Sequence, residues 1–382
     1  MEEYQALFKK MIDNLKNIID YISAPTISFT LLTFLFPFIF PPTDWFDKIN
    51  RKLRIYKLWT NVGGFMLFCL ITGFFVLGYN DPNFKIILMK GDNFPIVLMI
   101  YSMFFFTWYA MKKSYINDAR LERGEKPTEY HDPEDKVLVW PDLVYIEFIA
   151  LILFMVFLIV WSILVPAPLE EPANPAATPN PSKAPWYFLG LQEMLVYFDP
   201  WLAGVLFPTF IILGMCAIPY MDINKKGDGY YSFKERRVGY FIFMYGWLVL
   251  WVYLIIIGTF FRGPNWNFFG PFEYWDPHKL EVLNNVNLSE YFWVIGLGQP
   301  LPSNILLRES IGFIVTGLYV VVLPVILAKT FLKSMYEKYG PTRYTFLMIL
   351  GLSMLSLPIK MYLRWIFNLK YIIGIPEWFF NI

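Results

Sequence analysis

Long apolar runs constrain this chain more than any other feature. Seven of them, at residues 58–79, 95–111, 143–165, 202–220, 238–261, 311–332 and 344–367, are separated by polar or proline-broken connections. A hydrocarbon core of roughly 30 Å takes about twenty helical residues to cross, and it tolerates only backbone whose amides are paired within the segment. Runs of this kind therefore read as membrane helices, with 95–111 a shorter one. An eighth run, 24–40, is interrupted by Pro25 and Pro37 and closed by Pro41-Pro42. It fits a kinked span or a re-entrant segment equally well. The expected fold class is an all-α integral membrane protein, a polytopic bundle of seven or eight transmembrane helices. Composition agrees: 57% of the 382 residues are hydrophobic and 16% charged, against about a quarter charged in soluble domains.

Before the first run, residues 1–21 set Lys9, Lys10 and Lys16 against Leu7, Phe8, Met11, Ile12, Leu15 and Ile18. That is helical spacing with one polar face, expected along the membrane interface, and not the basic start and apolar core of a secretory signal. Orientation follows from lysine and arginine. Basic residues crowd four connections: Lys48–Lys57, Lys112–Lys136, Lys225–Arg237 and Lys329–Arg343, which belong on the cytoplasmic side. The alternate connections hold Lys85 and Lys90, then Lys183, then Arg262, Lys279 and Arg308, so 166–200 faces outward. A full span at 24–40 would put the amino terminus outside, against its own lysines. The net charge of +1 and the lack of a separate basic stripe argue against a nucleic acid partner. Cys69 and Cys216 lie singly inside apolar runs and read as small core thiols.

The connection 166–200 has a distinct design. Prolines at 166, 168, 172, 175, 179, 181 and 185 forbid helix and strand, leaving an ordered, extended loop. From Trp186 to Phe198 the prolines cease, and Trp186, Leu189, Met194 and Phe198 fall at the spacing of a short amphipathic helix. A stiff loop feeding an aromatic helix at the membrane surface suits a lid over an apolar ligand.

Three separated motifs carry a resemblance. The run VWPDLVYIEF (139–148), then EPANPAATPNPSKAPWYFLGLQEML (171–195), then a span ending in AIPYMD (217–222), occur in the order and topology of the C-terminal half of cytochrome b, called subunit IV where it is a separate chain. The resemblance covers 139 to about 261. It implies a subunit of a quinol:cytochrome c (or plastocyanin) reductase, here of an extended bacterial form in the cytoplasmic membrane. It also implies a haem-bearing partner resembling the N-terminal half of cytochrome b, a Rieske iron–sulfur protein, a c-type cytochrome and a dimeric complex. The expected division is 1–136 for an interfacial helix and extra spans, 137–261 for the subunit IV-like domain, 262–309 for an aromatic outer insertion, and 310–382 for the last spans.

Two residue-level readings qualify that resemblance. The haem pair of a cytochrome b needs four axial histidines on membrane helices, and the only histidines are His131 and His278, both in connections. Haem b is therefore expected only through the partner. No CxxCH is present for a c-type haem. Second, the family reads Pro-Glu-Trp-Tyr where this chain reads Ala184-Pro185-Trp186-Tyr187, so Pro185 replaces the acid that takes a quinol proton. Glu193, two helical turns after Trp186, is the leading substitute base. In so apolar a helix a lone carboxylate should be hard to ionise. A capped or salt-bridged Glu193 is the competing reading. Glu170 and Glu171 are weaker candidates, since paired loop acids are ordinarily solvated.

The candidate outer quinol-binding set is thus Pro185, Trp186, Tyr187, Phe188 and Glu193, with Glu193 and Tyr187 catalytic. An interfacial aromatic anchor explains the same aromatics. The cofactor would be quinol, with menaquinol suggested by the lost acid. On the inner side Asp142, at the start of the 143–165 run, is either a helix cap or part of a quinone-reduction site. Pro376-Glu377-Trp378-Phe379 imitates the family motif without its loop and reads as an interfacial anchor. Lys360 and Arg364 are expected to snorkel. The competing functions are a transporter or channel, which the lack of an inverted repeat and of buried charges disfavours, and a structural anchor for redox partners.

Overall fold

The computed structural model of the chain describes residues 2–131, 138–165, 172–223, 229–281 and 284–382. Chain order runs α1 (Glu2–Ser23), α2 (Pro25–Ile39), α3 (Asp44–Lys52), α4 (Asn61–Tyr79), α5 (Pro82–Leu88), α6 (Phe94–Glu122), α7 (Val144–Leu164) and α8 (Leu189–Met194). There follow α9 (Leu202–Met221), α10 (Lys234–Phe261), α11 (Ser310–Lys329) and α12 (Lys333–Phe367). A two-stranded antiparallel pair, β1 (Gly374–Ile375) and β2 (Phe380–Asn381), closes the chain. Among the described residues seven helices are long and apolar enough to cross a membrane, and the bent pair α1–α2 allows an eighth. The protein is an all-α polytopic membrane protein.

Two spans are longer than the hydropathy suggests. The one expected at 95–111 continues to Glu122, because Lys112, Lys113 and the polar residues after them sit on good helical spacing above the membrane, where Ser114, Asn117 and Asp118 are buried. The last begins at Lys333 and bends at Gly340, whose φ of 76° ahead of Pro341 breaks the helical path.

Core packing centres on α10, the span with the largest buried share. Against it lies α2, and the contacts run in strict antiparallel order. Ser28 meets Tyr253 (2.6 Å, Oγ to OH), Thr33 meets Tyr245 (3.1 Å), Phe36 packs edge-on to Phe241, Phe40 contacts Tyr240, and Asp44 pairs with Arg237. Fifteen residues give α2 a length of about 22 Å, so it accompanies α10 for most of a bilayer's thickness. Pro25 starts it at the first turn, where no amide is needed. The open choice at 24–40 is thereby resolved in favour of traversal: α2 does not turn back. It leaves α1 at 76° to itself.

The two ends of the bundle are distinct. At the basic end Asp118 accepts from Ser232 and from the backbone N–H groups of Phe233 and Lys234, Lys234 pairs with Glu122, and Arg343 donates to the Tyr220 carbonyl. The basic connections therefore gather at one end. At the other end Lys16 pairs with Asp81 (2.7 Å), Asp20 accepts from the Phe272 backbone, and Arg308 makes a forked pair with Glu377. So α1 lies on the same face as the proline-rich loop, its apolar residues Leu7, Phe8 and Met11 exposed, as an interfacial helix would have them.

Two expectations are corrected. Cys69 and Cys216 are exposed on helix flanks, not core thiols; the runs that hold them turn that side outward, where lipid would cover it. Lys360 and Arg364 do not snorkel but are buried. Near the end of α12, Lys360 donates to the Lys370 carbonyl, and Arg364 to the Asn368 carbonyl and Asn285, so both cations tie down the turn that ends α12. The mimic Glu377 holds Arg308, which draws its carboxyl down to about 2, while Trp378 and Phe379 are exposed, in keeping with an anchor.

Candidate functional site

The proline-stiffened segment, described from residue 172, is ordered by side chains that close on its backbone. Asn174 accepts from Ala176 N–H in a local turn. Asn180 and Asn265 exchange two hydrogen bonds (2.6 and 2.9 Å), joining the loop to the connection after α10. Gln192 accepts from Ala184 N–H and donates to the Ser182 carbonyl, both at 2.8 Å, and so clamps the backbone just before Trp186 onto α8. These four amides were not among the expected site residues. Asn and Gln in a proline-rich stretch are a usable signal, because prolines lack the N–H that would otherwise pair with the carbonyls.

The helix expected over 186–198 is present in pieces: a tight turn at Trp186–Phe188, α8, then further turns to Phe198. It seats on α10 through two glycines. A side chain on Gly258 would meet the Leu189 carbonyl at 3.2 Å, and one on Gly190 would meet Ile255 at 3.3 Å. With no Cβ on either, the helices approach closely, and Leu189, Met194 and Phe198 are buried as expected. Tyr187 and Phe188 are half exposed at the surface, and Pro185 is exposed. Trp186 turns inward against the apolar cluster of Ile255, Phe260 and Phe272.

Glu193 is fully buried but not alone, which corrects the picture of an isolated carboxylate. Arg262, the residue following α10, grips it with Nε (2.9 Å) and Nη2 (2.7 Å), and the Trp266 indole N–H adds a third donor at 3.2 Å. Arg262 also donates to the Trp266 carbonyl. Left-handed backbone at Asn265 and Trp266, each with φ of 58°, folds the connection back so that Trp266 can present both groups. Burial works against the guanidinium charge, yet the Glu193 carboxylate outweighs it and raises the Arg262 pKa. A forked, hydrogen-bonded pair of this kind is the geometry in which a buried ion pair is tolerated. Glu193 and Tyr187 lie on different sides of the segment, one inside and one at the surface.

The remaining candidates lie apart. Asp142 is exposed at the foot of α7 and makes no hydrogen bond among the described residues, neither capping the helix nor joining other polar groups. Glu170 and Glu171 fall outside the described residues. For haem, the donor set does not fit: His278 is exposed in the connection after α10, His131 ends the turn Thr128–His131, and neither lies on a spanning helix. Among the described residues no three His, Cys, Asp or Glu side chains converge as a metal site.

An apolar cavity of about 670 Å³ opens at the same end of the bundle, between α1, α4, α6 and α10. Leu15, Phe74, Ile100, Ile256, Phe260 and Phe261 line it, and Trp186 packs on the same cluster.

A polytopic α-helical membrane protein with an ordered, proline-rich surface loop and a short helix docked on a central span is the class that this geometry defines. Residues 172–271 match the family model described as cytochrome b (C-terminal)/b6/petD. The match holds the described loop, α8, α9, α10 and the turn that supplies Arg262 and Trp266. It excludes α1–α7, α11 and α12. No solved structure matches the chain.

Proposed function

We propose that the chain is a membrane subunit of a bc- or b6f-type quinol-oxidising complex and forms part of its outer quinol site. The observation that carries this reading is the coincidence of the family match with a built surface feature. The matched loop and α8 are held rigidly on α10 by Gln192, Asn180 and the Glu193–Arg262 pair, beside an apolar cavity of a size that suits a quinol ring. Trp186 would close the cavity's cluster, and Tyr187 and Phe188 would face the partner or the membrane surface. The proline-rich loop lies on the periplasmic side of a bacterial cytoplasmic membrane, and menaquinol is the quinol favoured by the missing acid.

Haem b would reside in a partner chain, with an iron–sulfur protein and a c-type cytochrome completing the electron path. Within this chain Glu193 serves as a positioning residue. Its two oxygens already accept three N–H bonds, which leaves it poorly placed to take a proton from substrate but well placed to hold α8 against the turn after α10. An inner-site role for Asp142 depends on what a partner brings to it, since it makes no hydrogen bond among the described residues.

Purification of the native complex in mild detergent tests this. Redox difference spectra should show b-type haem co-purifying with a separate histidine-bearing chain, and extracted lipid should contain a quinone. A chain that purifies free of both, with no quinol oxidation sensitive to an outer-site quinol analogue, would sink the proposal.

A further inference from the structure

Lys183 lies two residues before Pro185, and its ammonium makes no ion pair among the described residues. Its Nζ donates to the Thr259 carbonyl at 2.7 Å and sits 4.8 Å from the centre of the Trp275 ring. Thr259 is near the end of α10, where the last carbonyls lack intrahelical partners, and its neighbours Ile256, Phe260 and Phe261 line the 670 Å³ cavity. Trp275 packs on the same apolar cluster as Trp186.

The chemistry around this amine is unusual. An ammonium has three N–H donors to place, and one acceptor is present. Meanwhile the Thr259 hydroxyl and the Trp275 indole N–H, on the two residues that the amine touches, are buried and have no partner. The Thr259 hydroxyl can donate or accept, but the Trp275 indole N–H can only donate, and a neutral amine, unlike an ammonium, has a lone pair for such a donor. Among the described residues the charged form has one carbonyl and the face of the Trp275 ring, and no carboxylate. The nearby charges do not compensate: Lys90 repels, Glu193 is taken by Arg262, and Glu273 by Lys279 and the Gly270 N–H. Burial first, and Lys90 second, lower the amine to about 7.

We propose that the neutral amine of Lys183 is the proton acceptor of the outer site, taking over the task of the acid that Pro185 replaces. This rests on the quinol-oxidation reading above. A quinol O–H bond breaks as its proton moves to the amine nitrogen, giving the ammonium, and one electron leaves to an iron–sulfur partner. The ammonium returns that proton to water at the loop face; the second electron leaves to a haem-bearing partner and the second O–H proton to water at the same face, completing the two-electron, two-proton oxidation to quinone. The competing role is a plain tether, lysine capping a helix carbonyl.

Conservative variants separate the two roles. Lys183→Arg keeps a charged donor for the Thr259 carbonyl but does not deprotonate, and Lys183→Gln keeps a neutral donor. In the purified complex, kcat for quinol oxidation should rise with pH and level off near 7. In both variants it should fall about 100-fold, the usual scale for losing a general base, and lose that limb, with haem content and KM little changed. A Lys183→Arg complex within threefold of wild type and with the same pH profile overturns the proposal. An independent readout is competitive acetylation of the native complex across pH, followed by peptide mass spectrometry. Lys183 should react with a midpoint near 7; a midpoint in the ordinary lysine range, or no reaction at any pH, overturns it. If acetylation gives the low midpoint but the complex oxidises no quinol, the functional reading fails while the titration of Lys183 stands.

Discussion

Glu193 and Arg262 lie 69 positions apart in the chain, and their pairing changes what each residue means. Removing one member of a buried pair leaves an uncompensated charge, a loss of about 3–5 kcal/mol. Glu193→Ala should therefore lower the unfolding midpoint of the detergent-solubilised chain far more than Tyr187→Phe, whose side chain is at the surface. Replacing both Glu193 and Arg262 by apolar residues should recover part of the loss, and a double-mutant cycle on thermal unfolding reads the difference. Lys183 gives a pH-dependent contribution of definite sign. The folded chain binds fewer protons than the unfolded one between about 7 and the ordinary lysine value, so stability should rise with pH across that window and be flat below it. Lys183→Gln should reduce that slope in urea titrations at successive pH values.

At the scale of elements, α2 shows how far hydropathy alone can reach. Its prolines and short length left two readings, and only the ladder of contacts from Ser28–Tyr253 to Asp44–Arg237 chooses between them. Phe36 is buried at the middle of that ladder, among Phe40, Phe241 and Tyr245. Phe36→Ala should cost about 3–5 kcal/mol, visible as a loss of thermal stability, whereas Phe34→Ala on the exposed side of α2 should cost far less. The traverse also puts α1 on the proline-loop face, despite Lys9, Lys10 and Lys16. A single cysteine at Lys9, in a chain freed of Cys69 and Cys216, should react with an impermeant maleimide added on the same side as one placed at Lys279. Labelling from opposite sides would refute the traverse. The positive-inside pattern still orders the bundle, since the basic connections meet at one end; the lysines of α1 are the exception, and the ion pair of Lys16 with Asp81 accounts for one of them.

Over the whole molecule, burial is uneven. α10 is enclosed by α2, α8 and their neighbours, while α7 exposes all its described side chains and α11 fully buries only Gly312. For a membrane chain such faces meet lipid or another subunit. Number and approximate position of the spans, the order of polar and apolar faces and the stiff loop were legible in the sequence. Each depends on local quantities: the length of an apolar run, the missing N–H of proline, and where lysine falls between runs. The motif at 171–195 and the family match agree for the same reason, since both are properties of a contiguous stretch. What only the tertiary structure decided involves partners remote in sequence. Arg262 at Glu193, Thr259 and Trp275 at Lys183, and α2 beside α10 are meetings that no periodicity encodes. They follow from which faces the packed helices present to one another, and at a buried, low-dielectric end of the bundle those meetings fix which ionisable group is held in an ion pair and which has none among the described residues.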